Sequence, residues 1–312
     1  MTASSGLDDA LALWATARLG SGPREVFFGA QSMSDVVGVV LDDGRKVALK
    51  RRGGGEHVAA TAVAHRAASD AGIDCPDLLA GPENVDGQIF TAEQWRDDGS
   101  TEPQGDAAML YAQLLARLVK ALDGVDQSRL SPPPWLHYDH DADRVWPPPA
   151  SDRWDPHRIE SQLPPALARI AAAARSRLLA AHLPHVVGHT DLSGLNVRWN
   201  HADGVDVPIV HDWDSIAARP EAVLVGTLAA DHVALPERGR IADIDTGARV
   251  VEAYEEASGR AFSAEEHEVA WAASAWLAAY NAVFEHLHGA PGEVTAQLLR
   301  DGDERLRLAG GA

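Results

Sequence analysis

A chain of 312 residues, 46% of them hydrophobic, is long enough for a sizeable core divided between two lobes. Its formal net charge of −19 argues against a nucleic-acid partner, since phosphate backbones select basic surfaces, and suits a cationic small molecule drawn to an acidic field. The single cysteine, Cys75, excludes an internal disulfide, and neither a basic leader before an apolar stretch nor a run of membrane-spanning length occurs, so the expectation is a cytoplasmic protein with no membrane and no obligatory protein partner.

In chain order, Asp8 to Leu19 is predicted as a leading helix. Phe27 to Ser34 is predicted as a loop, and it holds neither G-x-G-x-x-G nor the P-loop pattern. The run from Ser34 to Val40 reads as a strand entering a hairpin turn at Asp42-Asp-Gly-Arg45, and Val47-Ala-Leu-Lys50 as the returning strand. Lysine is rare here, with only Lys46, Lys50 and Lys120 in the chain, so a lysine ending an apolar strand stands out. Its compact ammonium acts as a point charge against phosphate oxygens. Lys46, beside the turn, suits the plainer role of a charge that discourages edge pairing.

The helix expected from about Glu56 to Ala71 carries no carboxylate in its middle turns, which hold Ala60, Thr61, Val63 and Ala64. Glu56, at its start, is the acid available to a strand lysine. Gln88 to Trp95 reads as the last strand of the small lobe, Asp97 to Pro103 as linker, and Asp106 to Leu122 as a helix with a stripe at Leu110, Leu114 and Leu118. Ser131 to Pro156 is too proline-rich for a long helix or central strand. Two readings stand for it: a lid on the substrate side, or a surface loop pinned by Trp135, Trp146 and Trp154. Pro164 to Leu183 is a helix leading into the most informative stretch.

That stretch is His189-Thr-Asp191-Leu-Ser-Gly-Leu-Asn196, followed sixteen residues later by Asp212 in Val-Pro-Ile-Val-His-Asp-Trp-Asp. Moving a phosphoryl group to a hydroxyl requires a carboxylate near the acceptor oxygen and separate ligands for magnesium on the phosphates. The segments around Val197 and Val207 read as strands joined by a polar turn, which returns Asn196 and Asp212 to the same end of a small ribbon.

On His189, Asp191, Asn196, Asp212 and the upstream Lys50, the chain resembles the aminoglycoside phosphotransferase and choline kinase superfamily. The resemblance implies an α+β, two-lobed protein-kinase-like fold: a small, mostly antiparallel β lobe over residues 1–95, ending in a hinge, and a larger, mainly helical lobe over 96–312. It implies an ATP- or GTP-dependent, magnesium-requiring kinase that phosphorylates a hydroxyl of an aminoglycoside, amino sugar, amino alcohol or related metabolite. Asp191 would be the catalytic carboxylate, with His189 holding its loop. Asn196 and Asp212 would hold magnesium, with Asp214 as a further candidate ligand. Lys50 would steady the nucleotide, and Glu93, Gln94 and Trp95 would contact its base. Departures from the family pattern are the missing helix glutamate and Ala218-Arg-Pro-Glu221 in place of its Gly-Asp-Pro element.

Beyond Asp212 three helices are expected, at about Glu221 to Val233, Ile241 to Ser258 and Ala264 to His288. On the last, Trp276 and Tyr280 share a face that suits packing, and Asn281, Glu285 and His288 are the acceptor-contact candidates. Two other functions stay open. One is a weakly active or inactive nucleotide-binding protein of the same fold, motivated by the departures. The other is a metal-dependent hydrolase using His182, His185, His189, Asp191 and His211, although Pro184 interrupts the helix that would align them.

Overall fold

The computed structural model describes residues 7–31, 34–149, 155–235, 239–289 and 292–311. Helix α1, Asp9–Leu19, starts at Asp8, whose carboxylate accepts from the Leu11 amide, and stops at Gly20 in the left-handed conformation. Strands β1 (Pro23–Gln31), β2 (Asp35–Leu41), β3 (Lys46–Arg52), β4 (Leu78–Val85) and β5 (Gln88–Gln94) form one antiparallel sheet in the order β1-β2-β3-β5-β4. Phe27 to Gln31 is therefore strand rather than loop, paired through Phe28 to Gln31 with Gly38 to Asp35 of β2. Helix α2, Gly55–Asp70, crosses between β3 and β4.

Strand alternation sorts the two faces of this sheet. Val47 and Leu49 of β3, with Phe90 and Ala92 of β5, join Leu11 and Trp14 of α1 in a small closed core. The intervening residues Ala48, Lys50 and Arg52, with Thr91 and Glu93, occupy the opposite face.

The helical lobe comprises α3 (Ala107–Ala121), α4 (Pro165–Ala180), α5 (Glu221–Asp231), α6 (Ile244–Ser258), α7 (Ala264–Leu287) and α8 (Glu293–Leu308). Between α4 and α5 lie β6 (His185–His189), β7 (Val197–Ala202), β8 (Val205–Val210) and β9 (Ile216–Pro220), with β6 paired to β9 and β7 to β8. The centre of α7 is buried on every side from Val269 to Tyr280, the mark of a core helix. Gly226 allows α5 to close on it, because a Cβ there would lie 1.9 Å from the Ala270 carbonyl oxygen. The large core also takes Ala64 and Ala68 of α2, so that helix is held from the helical side as well. Among the described residues no helix is long and apolar enough to cross a membrane.

The proline-rich stretch is pinned where it is described. Trp146 is fully buried, the Trp276 indole donates to the Trp135 carbonyl at 2.8 Å, and Arg175 donates to the carbonyls of Tyr138 and His140. Arg219, from the altered Ala-Arg-Pro-Glu element, pairs with Asp139. Trp154 lies outside the described residues. Cys75 is buried and its thiol is pushed up to about 12 by desolvation, so it packs rather than reacts.

Candidate active site

The loop from β6 to β7 carries Asp191 and Asn196, and it is held by groups that never leave the protein. Neutral His189 has both ring nitrogens engaged: Nδ1 accepts from the Asp191 amide at 3.2 Å, and Nε2 donates to the His211 carbonyl at 3.0 Å. Burial holds this imidazole below its ordinary pKa, which keeps it neutral and the two contacts compatible. Asn196 Nδ2 donates to the Asp191 carbonyl at 3.0 Å, leaving its amide oxygen as the ligand atom of that side chain.

The hairpin β7–β8 turns through Asp203 and Gly204, both at positive φ, as the Asp-Gly pair requires. Its register sets Val197 opposite Val210, and the His211 amide donates to the Asn196 carbonyl at 2.7 Å. Asn196 and Asp212 therefore leave the hairpin side by side. Asp212 has φ 54° and ψ 58°, a left-handed backbone uncommon for a residue with a side chain, and Ser215 Oγ donates to its Oδ2 at 3.2 Å.

Lys50 reaches this turn from the sheet. Its ammonium lies 3.0 Å from Glu93 Oε2 and 4.0 Å from Asp212 Oδ1, and both side chains of the closer pair are 7% exposed. The register explains the contact. Lys50 pairs with Thr91 and Ala48 with Glu93, so lysine and glutamate are diagonal neighbours on one face of the sheet. Burial would raise the Glu93 carboxyl, but the Lys50 charge and hydrogen bond outweigh it and hold the group ionised.

Helix α2 supplies no acid to the site. Glu56 is exposed and 4.0 Å from Arg129, so it does not fill the place of a helix glutamate. What α2 supplies is His65, stacked on Trp213 with ring centroids 4.7 Å apart and planes 5° from parallel, and His57, whose Nε2 lies 3.3 Å from the Asp214 carbonyl oxygen. Asp214, the further candidate ligand, is paired with the nearly buried guanidinium of Arg52.

The base-contact candidates also change in meaning. The Gln94 amide donates to Asp77 and the Trp95 amide to Lys46, so both donors are engaged within the sheet, and Glu93 serves Lys50. Trp95 presents its ring to Phe27 and Phe28, at 4.9 and 5.1 Å between centroids.

Asp191 Oδ1 is shielded and has no hydrogen-bond partner. Desolvation first, then the charge of Asp212, raise this carboxyl to about 7, with Asn196 and Ser193 opposing. Beside it opens a pocket of about 280 Å³ that Asp231, Tyr280 and Asn281 also line. Of the three acceptor-contact candidates only Asn281 is there. Glu285 accepts from the amides of Val294 and Thr295 and so begins α8, while exposed His288 bonds back to Phe284 of its own helix. Asp231 and the pairing of Glu93 with Lys50 are the contributions that sequence reading missed. A lone acid ending the apolar run Ala222 to Ala230 was the available signal for the first.

Among the described residues no three of His, Cys, Asp and Glu are grouped to hold a metal by themselves, and His189 is fully engaged with backbone, so the histidine-rich stretch does not assemble a hydrolase centre.

No family model matches the chain, and no curated protein matches it. Solved structures do. An amicoumacin kinase, hAmiN, in complex with AMP-PNP, Ca2+ and amicoumacin superposes with a TM-score of 0.66 at 12% identity, covering 98% of this chain and 96% of that one. A thermostable mutant of aminoglycoside phosphotransferase APH(4)-Ia, in ternary complex with ADP and hygromycin B, gives 0.56 at 12% identity over 97% and 100%. A putative fructosamine-3-kinase from Thermobifida fusca gives 0.53 at 18% identity over 97% and 99%.

Proposed function

We propose, for a chain with the protein-kinase-like fold shared by aminoglycoside phosphotransferases, that it transfers the γ-phosphate of ATP or GTP to a hydroxyl of a small molecule. The observation that carries this reading is the meeting of Lys50, Asp212, Asn196 and Asp191 at one junction between sheet and helical lobe. The lobe of residues 1–95 would take the nucleotide and that of 96–312 the acceptor. Kinase-like neighbours with AMP-PNP or ADP bound support the assignment.

The donor set fits a hard divalent cation: Asp212 keeps an oxygen clear of its Ser215 contact, and Asn196 keeps its amide oxygen. When bound, such an ion, magnesium by this reading, would neutralise charge on the phosphates. The protein's own residues do the rest. Lys50, held by Glu93, presents a fixed ammonium to phosphate oxygens. His189 fixes the loop so that Asp191 can orient the acceptor hydroxyl and take its proton, and a carboxyl raised to about 7 is matched to that task. The acceptor O–P bond forms as the bridging bond between the β- and γ-phosphates breaks, and the nucleoside diphosphate leaves. The Lys50–Glu93 pair also supports an active enzyme over a binding-only protein, since the absent helix glutamate has a substitute in β5.

The test is thermal melting with and without ATP and magnesium. A magnesium-dependent rise that disappears in Asp212→Ala is the expected result, because a ligand that binds only the folded form raises the midpoint. No shift with ATP or GTP would overturn the reading.

A further inference from the structure

The pocket beside Asp191 differs from the acidic surface around it. Its walls are mostly apolar and aromatic, including Trp135, Leu195, Leu277, Tyr280 and Phe284, and at about 280 Å³ it is near the small end of ligand pockets. Into this setting the last residue of α5 places a second carboxylate, Asp231, which is 8% exposed. Its Oδ1 accepts from Asn281 Nδ2 at 2.9 Å, and no cation among the described residues is ion-paired with it. Arg240 lines this pocket and also a neighbouring cleft bordered by Asp243 and Glu293, and it is not paired with Asp231.

Other sheltered acids of this chain are answered by a cation: Glu93 by Lys50, Glu221 by Arg260, Asp301 by Arg305. Among the described residues Asp231 has no such cation, and it lies in a pocket that it shares with Asp191. Ionising a carboxyl sheltered from water with one amide for company is costly, and a cation brought by a ligand would offset that cost. A multi-ring polycation would press several ammonium groups against apolar walls in a small volume. One charge and one apolar body match the pocket better.

We infer that Asp231 is the specificity-determining carboxylate of the acceptor pocket, taking the ammonium of a compact amino alcohol whose apolar body lies against Trp135, Tyr280 and Phe284 and whose hydroxyl reaches Asp191. The position of the hydroxyl rests on the phosphotransferase reading; the ammonium site does not.

The test titrates the nucleotide-free protein with phenylalaninol and a short panel of aryl and alkyl amino alcohols. Each is measured beside the counterpart in which hydroxyl replaces the amine, and kanamycin serves as the polycation. The expected result is an amino alcohol binding at least about tenfold more tightly than its amine-free counterpart, a gap well within calorimetric reach. Asp231→Asn, which keeps the size of the side chain and removes the group that would ionise against an ammonium, should erase that preference and leave the melting rise with ATP and magnesium intact. Asn281→Ala, which loosens Asp231 and leaves its charge, should reduce the preference by less. The inference is overturned if no amino alcohol outbinds its counterpart, if the preference survives Asp231→Asn, or if kanamycin binds more tightly than the whole panel. The nucleotide melting on the same samples separates this outcome from failure of the kinase reading.

Discussion

The sheet and the helical lobe both shelter charge beside the cleft, and they do it by opposite rules. On the sheet, Lys50 and Glu93 neutralise each other at 3.0 Å, and Arg52 answers Asp214. In the helical lobe, Asp191 and Asp231 are two sheltered acids without a cation: desolvation and then the charge of Asp212 raise the first, and desolvation and then the charge of Asp191 raise the second. Paired charges build a rigid scaffold that can stand without ligand. Unpaired ones mark where the protein depends on something from outside to complete it, and they are therefore where chemistry and recognition are expected.

The contrast can be broken from its functional side first. Asp191→Asn keeps shape and removes the group proposed to orient and deprotonate the acceptor, so turnover should fall by about a thousandfold, within the range of general acid–base catalysis. Nucleotide affinity should hold, as read by ADP release against equilibrium binding. Equal losses in both would mean that Asp191 serves the nucleotide and not the acceptor.

Breaking the paired side should show in stability. Glu93→Leu leaves a sheltered ammonium whose nearest remaining acid is Asp212 at 4.0 Å, and the expected loss is about 3–5 kcal/mol in urea unfolding. The double change Lys50→Met with Glu93→Leu should recover most of that stability while losing the melting rise with nucleotide. If the single change costs no more than the double, the pair is not the scaffold described above.

The smallest effect sharpens the unpaired side. Desolvation, then the charge of Asp191, raise the Asp231 carboxyl to about 8, with Asn281 opposing. A folded pKa above the unfolded one means that the folded chain binds more protons across the intervening range, so stability falls as pH rises from near 4 to about 8. Asp231→Asn should be free of this penalty. Its melting point should exceed that of the parent by a few degrees, about 3 °C, above pH 8, and the gap should close toward pH 4. A gap independent of pH would show that the substitution acts through packing alone.

Much of this arrangement was legible before any coordinates. Spacing alone placed Asp191 and Asn196 on one loop, and the hairpin signal around Asp203-Gly204 brought Asp212 beside them, because a two-residue turn fixes register locally. The element boundaries of α1, α2, α3 and α7 followed from caps and apolar periodicity, as with Ser263 and Glu266, which form a reciprocal cap at the start of α7. Contacts distant in sequence were not legible in this way. Glu93 read as a hinge residue because nothing in Gln88 to Trp95 says that β5 lies beside β3, and that adjacency is what sets its carboxylate on Lys50. The pairing of Asp214 with Arg52, far upstream in the chain, was not legible either. Glu285 and His288 sit at pocket-compatible spacing on α7, yet the start of α8 claims one and solvent the other.

What the sequence determined by itself, then, was short-range geometry: a loop carrying Asp191 and Asn196, a hairpin returning a second acid, a strand ending in lysine and a helix whose Trp276 and Tyr280 share a face suited to packing. What only the tertiary structure decided was which charges meet. Pairing of Lys50 with Glu93 and isolation of Asp231 depend on strand order and on the closure of α5 against α7, and burial turns those placements into opposite electrostatic outcomes.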